Sequence, residues 1–178
     1  MHKDVETILI SQKKLENIVK SLAKQIEKDY NSKEFIMVGL LKGSIVFMAE
    51  LMTKIDIDFE IDFMVASSYG GGTESSGKVK ILKDLSVSPV GKDILIIEDI
   101  VDSGNTLNFV KNHLITAGAA SVKVCTLCDK PSRRKVPLEP DYCGAEIPDE
   151  FIVGYGLDYD EKYRNLPYIG VLKRSVYS

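Results

Sequence analysis

The chain has 178 residues, within the usual range for one domain with its own core, and its 44% hydrophobic and 28% charged residues are those of an ordinary globular protein. A formal net charge of −3 excludes a general polyanion-binding surface, so neither a nucleic-acid partner nor an anionic membrane is expected, and any phosphate site must be built locally. The opening MHKDVETILISQKK carries acids early, no run approaches the roughly 18 apolar residues of a membrane span, and three cysteines are too few for a disulfide framework; a cytoplasmic chain without a secretory signal is expected.

In chain order, Ser11 is placed to cap a helix whose apolar positions Leu15, Ile18, Val19, Leu22 and Ile26 repeat at helical spacing and end near Tyr30. FIMVGLL, 35–41, is a short apolar run of buried-strand type, followed by KGS and a second helical pattern, IVFMAELMTKI. FEIDFMV, 59–65, and KVKIL, 78–82, alternate as strands do, and the Gly- and Ser-rich segment between them reads as a mobile loop of about residues 66–78. ILIIE begins the next strand and leads through an acidic turn into TLNFVKNHLITAG, with Gly118 as the helix stop. SVKVCTLC, 121–128, is a further strand, and short strands FIVGY and YIGVL are expected in the Pro- and Gly-punctuated remainder. Strands alternating with helices predict one α/β domain over 1–178 with a mainly parallel central sheet flanked by helices, whose ligands sit at the carboxyl ends of the strands.

The chemistry concentrates in EDIVDSGNT, 98–106. Glu98, Asp99 and Asp102 would stand at a strand end, and Ser103, Gly104, Asn105 and Thr106 lead straight into a helix, where backbone N–H groups and hydroxyls converge as they do around phosphate. A capping role explains one acid in that turn but not three. Two other patterns are rejected. GTESSGK, 72–78, fits a nucleotide-binding P-loop only until Val79, which stands where a Ser or Thr must hold Mg²⁺. Cys125 and Cys128 lie three apart in an apolar strand and so should face opposite sides, as buried small hydrophobes rather than a metal or disulfide pair. PSRRK, 131–135, reads as a solvated loop.

An apolar strand followed by EDIVDSGNT resembles the phosphoribosyl pyrophosphate (PRPP) signature of type I phosphoribosyltransferases. LKGS (41–44), SSYGGGTESSG, CDKPSRR and DEFIVGYGLDYDEKYRNLPYIGVL, in that order, resemble the hypoxanthine-guanine phosphoribosyltransferases over essentially the whole chain. The resemblance implies the type I phosphoribosyltransferase fold, with a small hood built from both chain termini, and Mg²⁺-dependent purine salvage. PRPP and a 6-oxopurine would give a nucleoside monophosphate and pyrophosphate. It implies Glu98 and Asp99 at the ribose hydroxyls and metal, with Asp158 near a second metal, and Asp102 as the acid/base at purine N7. Lys42, Gly43, Ser103, Gly104, Asn105, Thr106 and Arg164 would hold PRPP and pyrophosphate, with a cis peptide often found at the Leu41-Lys42 pair. Lys130, Phe151, Ile152 and Asp158 would bind the purine, Ser68 and Tyr69 would open a closing loop, and the assembly would be a homodimer or homotetramer. The rival from another class is a PRPP-binding regulator of the same fold that binds RNA or DNA. The acidic balance opposes it.

Overall fold

Alternating runs of β-branched and aliphatic residues build a six-stranded sheet, and the two chain ends build a second one beside it. The computed structural model describes residues 1–68 and 79–177. In chain order the elements are β1 (Val5–Ile10), α1 (Gln12–Tyr30), β2 (Phe35–Leu41), α2 (Ile45–Met52), β3 (Glu60–Ser68), β4 (Val79–Lys83), β5 (Asp93–Val101), α3 (Asn105–Thr116), β6 (Ser121–Asp129), β7 (Tyr142–Glu146), β8 (Ile152–Val153), β9 (Ile169–Leu172) and α4 (Arg174–Tyr177). The large sheet runs β4-β3-β2-β5-β6-β7, parallel throughout except where β4 pairs antiparallel with β3. The small sheet, β1-β9-β8, is antiparallel and is made of the termini, as expected for a hood.

Helices cover both faces because β2 and β5 are apolar on both. On one face Leu15, Val19, Leu22 and Ile26 of α1 pack with Phe47 and Leu51 of α2 against Met37, Leu95 and Ile97. On the other, Leu107, Val110 and Leu114 of α3 meet Ile36, Val38, Ile94 and Ile96. The Ser11 hydroxyl caps α1 by accepting from the Lys14 N–H at 3.3 Å, and Gly118, at φ 97°, follows the end of α3. The residues after GTESSGK continue as strand β4, not as the helix a P-loop requires; the motif itself lies outside the described residues, as does Tyr69.

Candidate active site

The chain moves from β2 to β3 on one side and from β5 to β6 on the other, so β2 and β5 flank a topological switch point where both following loops diverge and leave a crevice. Both motifs picked out in the sequence emerge there. After β2 the Leu41–Lys42 peptide is cis, and the buried Ser44 hydroxyl donates back to the Leu40 carbonyl at 2.6 Å, tightening the turn into α2. Gly43 sits so close to β5 that a Cβ in its place would lie 1.8 Å from Oδ2 of Asp99. Only glycine allows the two loops to meet at that distance.

Neighbouring residues of a regular strand face opposite sides. In β5, however, Ile97 and Ile100, three apart, pack on the same cluster, whereas Ile96 and Val101 pack on the other, so the alternation slips by one at Glu98–Asp99. The slip brings the two adjacent carboxyl groups of Glu98 and Asp99 together. Burial pushes the Glu98 carboxyl well above the usual range, and the negative charge of Asp99 pushes it further. Burial also raises Asp99, against the opposing pull of hydrogen bonds from Glu98 and from the Ile100 N–H at 2.7 Å. Such a pair holds a proton, or else gathers a cation or hydroxyl donors.

The turn that follows has Gly104 in the left-handed region at φ 78°, which turns the chain into α3, and the Asn105 N–H donates to the Ser103 hydroxyl at 3.3 Å. No acid occupies the first turn of α3, so its N-terminal amides keep their positive field. Asp102 lies just before. Its Oδ1 is buried with no hydrogen-bond partner among the described residues, and its Oδ2 is 3.9 Å from Nη1 of Arg133.

PSRRK is solvated as expected at Pro131, Ser132, Arg133 and Lys135, which are exposed, but Arg134 is half-buried and ties the segment to its neighbours. Pro131–Arg133 form a turn of 3-10 helix; Arg134 pairs with Asp129 and donates from Nη1 to the Asp102 carbonyl at 2.9 Å, and the Lys135 N–H donates to the Ser103 carbonyl at 2.9 Å. The segment therefore braces the 102–106 turn. Lys130, only 6% exposed, donates from Nζ to the Glu150 carbonyl at 2.7 Å, and burial lowers its pKa. Cys125 and Cys128 are buried free thiols, as expected, but both pack on the same cluster, because the alternation of β6 slips as that of β5 does.

The C-terminal segment closes the crevice. Phe151, 37% exposed, stacks on Tyr177 of α4 with ring centroids 4.8 Å apart and meets the edge of Tyr159 at 5.5 Å. Below them opens a cavity of about 770 Å³ whose lining includes Asp99, Asp102, Lys130, Phe151, Ile152 and Asp158. All four expected purine-site residues and the expected acid/base thus border one space. Lys42 and Arg164 are absent from that lining and meet instead at Glu161.

A protein-family model described as a phosphoribosyl transferase domain matches residues 6–160. The chain is 53% identical to the hypoxanthine-guanine phosphoribosyltransferase of Staphylococcus epidermidis, over 100% of this chain and 99% of the relative. It superposes on a crystal structure of a hypoxanthine phosphoribosyltransferase from Staphylococcus aureus with a TM-score of 0.96 at 52% identity, covering 100% and 97% of the two chains. For a hypoxanthine-guanine phosphoribosyltransferase from Bacillus anthracis the TM-score is 0.90 at 52% identity, covering 94% and 99%. The chain belongs to the hypoxanthine-guanine phosphoribosyltransferase family.

For a member of this family the fold is the expected one, and the hood lies where both termini meet. Glu6, Ile100, Arg133, Arg174 and Tyr177 also line the cavity, beyond the residues the sequence singles out. Ile100 has a local signal, lying between Asp99 and Asp102, and Arg133 has another, lying in CDKPSRR just after Lys130; Glu6, Arg174 and Tyr177 arrive from distant parts of the chain and carry none. Ser68 ends β3, while Tyr69 and the rest of the expected closing loop lie outside the described residues.

Proposed function

We propose that this chain transfers the 5-phosphoribosyl group from PRPP to hypoxanthine or guanine, forming the nucleoside 5′-monophosphate and pyrophosphate in cytoplasmic purine salvage. The observation that carries the reading is Asp102. It presents a buried, unpartnered carboxylate oxygen beside a cavity that also holds a lysine and a half-exposed aromatic ring. A buried acceptor without a donor is rare in folded proteins, and the Asp102 side chain as a whole, 43% exposed, lines the cavity where a base can reach it.

The purine lies against Phe151, with the backbone around Ile152 at its edge and Asp158 at the rim of its pocket. Lys130 spends one of its three donors on Glu150 and turns another toward the 6-oxo group, an acceptor. Asp102 takes the N7 proton as N9 bonds to the ribose carbon and the bond to pyrophosphate breaks. Ser103, Gly104, Asn105 and Thr106 cradle the 5′-phosphate at the start of α3. Lys42, the amide of Gly43 and Arg164 take the leaving pyrophosphate, for which a point charge and a planar fork of donors are complementary. A closing loop that begins at Ser68 and Tyr69 is part of the same proposal.

Mg²⁺ suits the donor set. No group of three or more His, Cys, Asp or Glu side chains gathers to hold a metal among the described residues, but Glu98 and Asp99 offer two hard carboxylates side by side, and Mg²⁺ commonly combines such a pair with substrate phosphates and water. Bound there, the ion would offset charge on the pyrophosphate; Asp158 is the further carboxylate assigned to the metal-bound substrate. The reading includes a homodimer or homotetramer, for which the exposed Ile61 and Leu82 offer apolar surface, and sedimentation of the purified protein decides it.

The test is to supply PRPP and Mg²⁺ with hypoxanthine, guanine, xanthine, adenine or uracil in turn, following nucleotide formation and pyrophosphate release. Turnover restricted to 6-oxopurines is expected. Binding of PRPP without turnover of any base would overturn the reading in favour of a regulator.

A further inference from the structure

The two cationic side chains assigned to pyrophosphate are joined through one carboxylate. Nζ of Lys42 donates to Oε1 of Glu161 at 3.0 Å, and Nη2 of Arg164 donates to Oε2 of the same group at 3.2 Å. The two oxygens are thus split between two cations that lie far apart in the sequence, at positions 42 and 164. A diphosphate would make the same division, one phosphoryl oxygen to each cation. Arg164 is further held by the Gly156 carbonyl at 2.7 Å and by Asp158 at 2.9 Å, while its Nε is buried with no hydrogen-bond partner among the described residues.

The backbone is arranged to deliver this carboxylate. Asp160, Glu161 and Tyr163 have φ of 51°, 60° and 76°, three non-glycine residues in the left-handed region within one short turn, and the Glu161 N–H is tied to Oδ2 of Asp158 at 2.9 Å. Asp160 and Glu161 are the two central residues of a hairpin turn closed by the Tyr159–Lys162 backbone pair at 3.2 and 3.1 Å, where left-handed backbone is the ordinary conformation. The Glu161 side chain itself stays 64% exposed, so it can swing away without disturbing the core.

We propose that the Glu161 carboxylate is an internal stand-in for pyrophosphate, which holds Lys42 and Arg164 in place between turnovers and competes with the diphosphate for them. This rests on the assignment of Lys42 and Arg164 to pyrophosphate. Binding the diphosphate requires displacing Glu161, and the return of Glu161 helps the product leave. The residue positions two ligand-binding side chains and touches no reacting atom.

The experiment is product inhibition by pyrophosphate against PRPP, with Mg²⁺ and saturating hypoxanthine, in the full-length wild type and in the variants Glu161→Gln and Lys42→Ala. Glu161→Gln should lower the pyrophosphate inhibition constant about twofold to tenfold, the range expected when one or two exposed ion pairs are removed from a competition. The KM for PRPP should fall with it, and the KM for hypoxanthine and the melting temperature should not move. A residue with only a structural role would raise these constants or lower the melting temperature. An inhibition constant unchanged or raised in Glu161→Gln, while Lys42→Ala weakens pyrophosphate, removes the stand-in and leaves the pyrophosphate assignment intact. An inhibition constant unmoved by Lys42→Ala removes the assignment, and the stand-in with it.

Discussion

The two ends of the parallel strands differ in how fully their acids are answered by donors. At the amino ends, acids are answered by donors: Asp29 accepts from the Tyr142 hydroxyl at 2.7 Å and from Lys123 at 3.2 Å, Asp93 from the Ser121 hydroxyl at 2.6 Å, and Glu60 from Lys92 at 2.8 Å. Aromatic rings cluster at that end, with Tyr30 4.2 Å and Phe59 5.3 Å from Phe35 between centroids. At the carboxyl ends, Glu98 faces Asp99 and a glycine is needed to fit the next loop against them. Of the three buried side-chain atoms left without a partner among the described residues, Asp102 Oδ1 and Arg164 Nε belong to this end, and only Tyr30 Oη to the other. Asp129 at the carboxyl end is also met by a donor, Arg134, so it is the Glu98–Asp99 pair, acid against acid, that sets this end apart.

The largest break in that contrast is Phe35→Ala at the amino end. Phe35 is 2% exposed, and truncating a buried aromatic costs about 3–5 kcal/mol, so denaturant melts should show a large loss of stability while the KM values of the folded fraction stay the same. Gly43→Ala at the carboxyl end should act in the other direction, on function more than on stability. Its methyl would collide with Asp99, costing about 1–3 kcal/mol as overpacking. The accompanying displacement of the loop should cut kcat/KM on the order of 10²-fold in initial-rate assays.

The smallest effect sharpens the contrast through pH. The Tyr142 hydroxyl, with Lys123, holds the Asp29 carboxyl below its ordinary 3.8. A carboxyl with a depressed folded pKa stabilises the protein above its unfolded value and loses that contribution as the pH falls through the folded one. Asp29→Asn should therefore cost about 0.2–1 kcal/mol at neutral pH, as exposed pairs do, and the gap between mutant and wild type in denaturant melts should close as the pH drops below the ordinary carboxyl value. A gap that persisted in acid would mean that the substitution destabilises through packing instead.

Much of this arrangement is legible in the sequence because it is local. Apolar runs separated by turn residues mark β2, β5 and β6, and EDIVDSGNT marks both the carboxylates and the helix start. What escapes depends on contacts between distant segments. β1 has only its first and last residues buried, and its partner β9 lies at the other end of the chain. β7, YCGAE, has no apolar run, and β8 shrinks to two residues because Gly154 and Tyr155, at φ 100° and 53°, turn the chain away. The role of Arg134 depends on Asp129 and the Asp102 carbonyl converging on it, and that of Tyr177 on α4 folding back over Phe151. The slips of alternation in β5 and β6 have no sequence mark, so spacing alone places Cys125 and Cys128 on opposite faces when they share one.

Asp102→Asn tests the central assignment most directly, because it keeps the shape of the side chain and removes its ability to accept the purine proton as a carboxylate. Turnover with PRPP and hypoxanthine should fall about 10²- to 10⁴-fold, the range of a positioned acid/base, while PRPP binding and the melting temperature stay at their wild-type values. An unchanged kcat would contradict the assignment of the chemistry to the carboxyl end of β5.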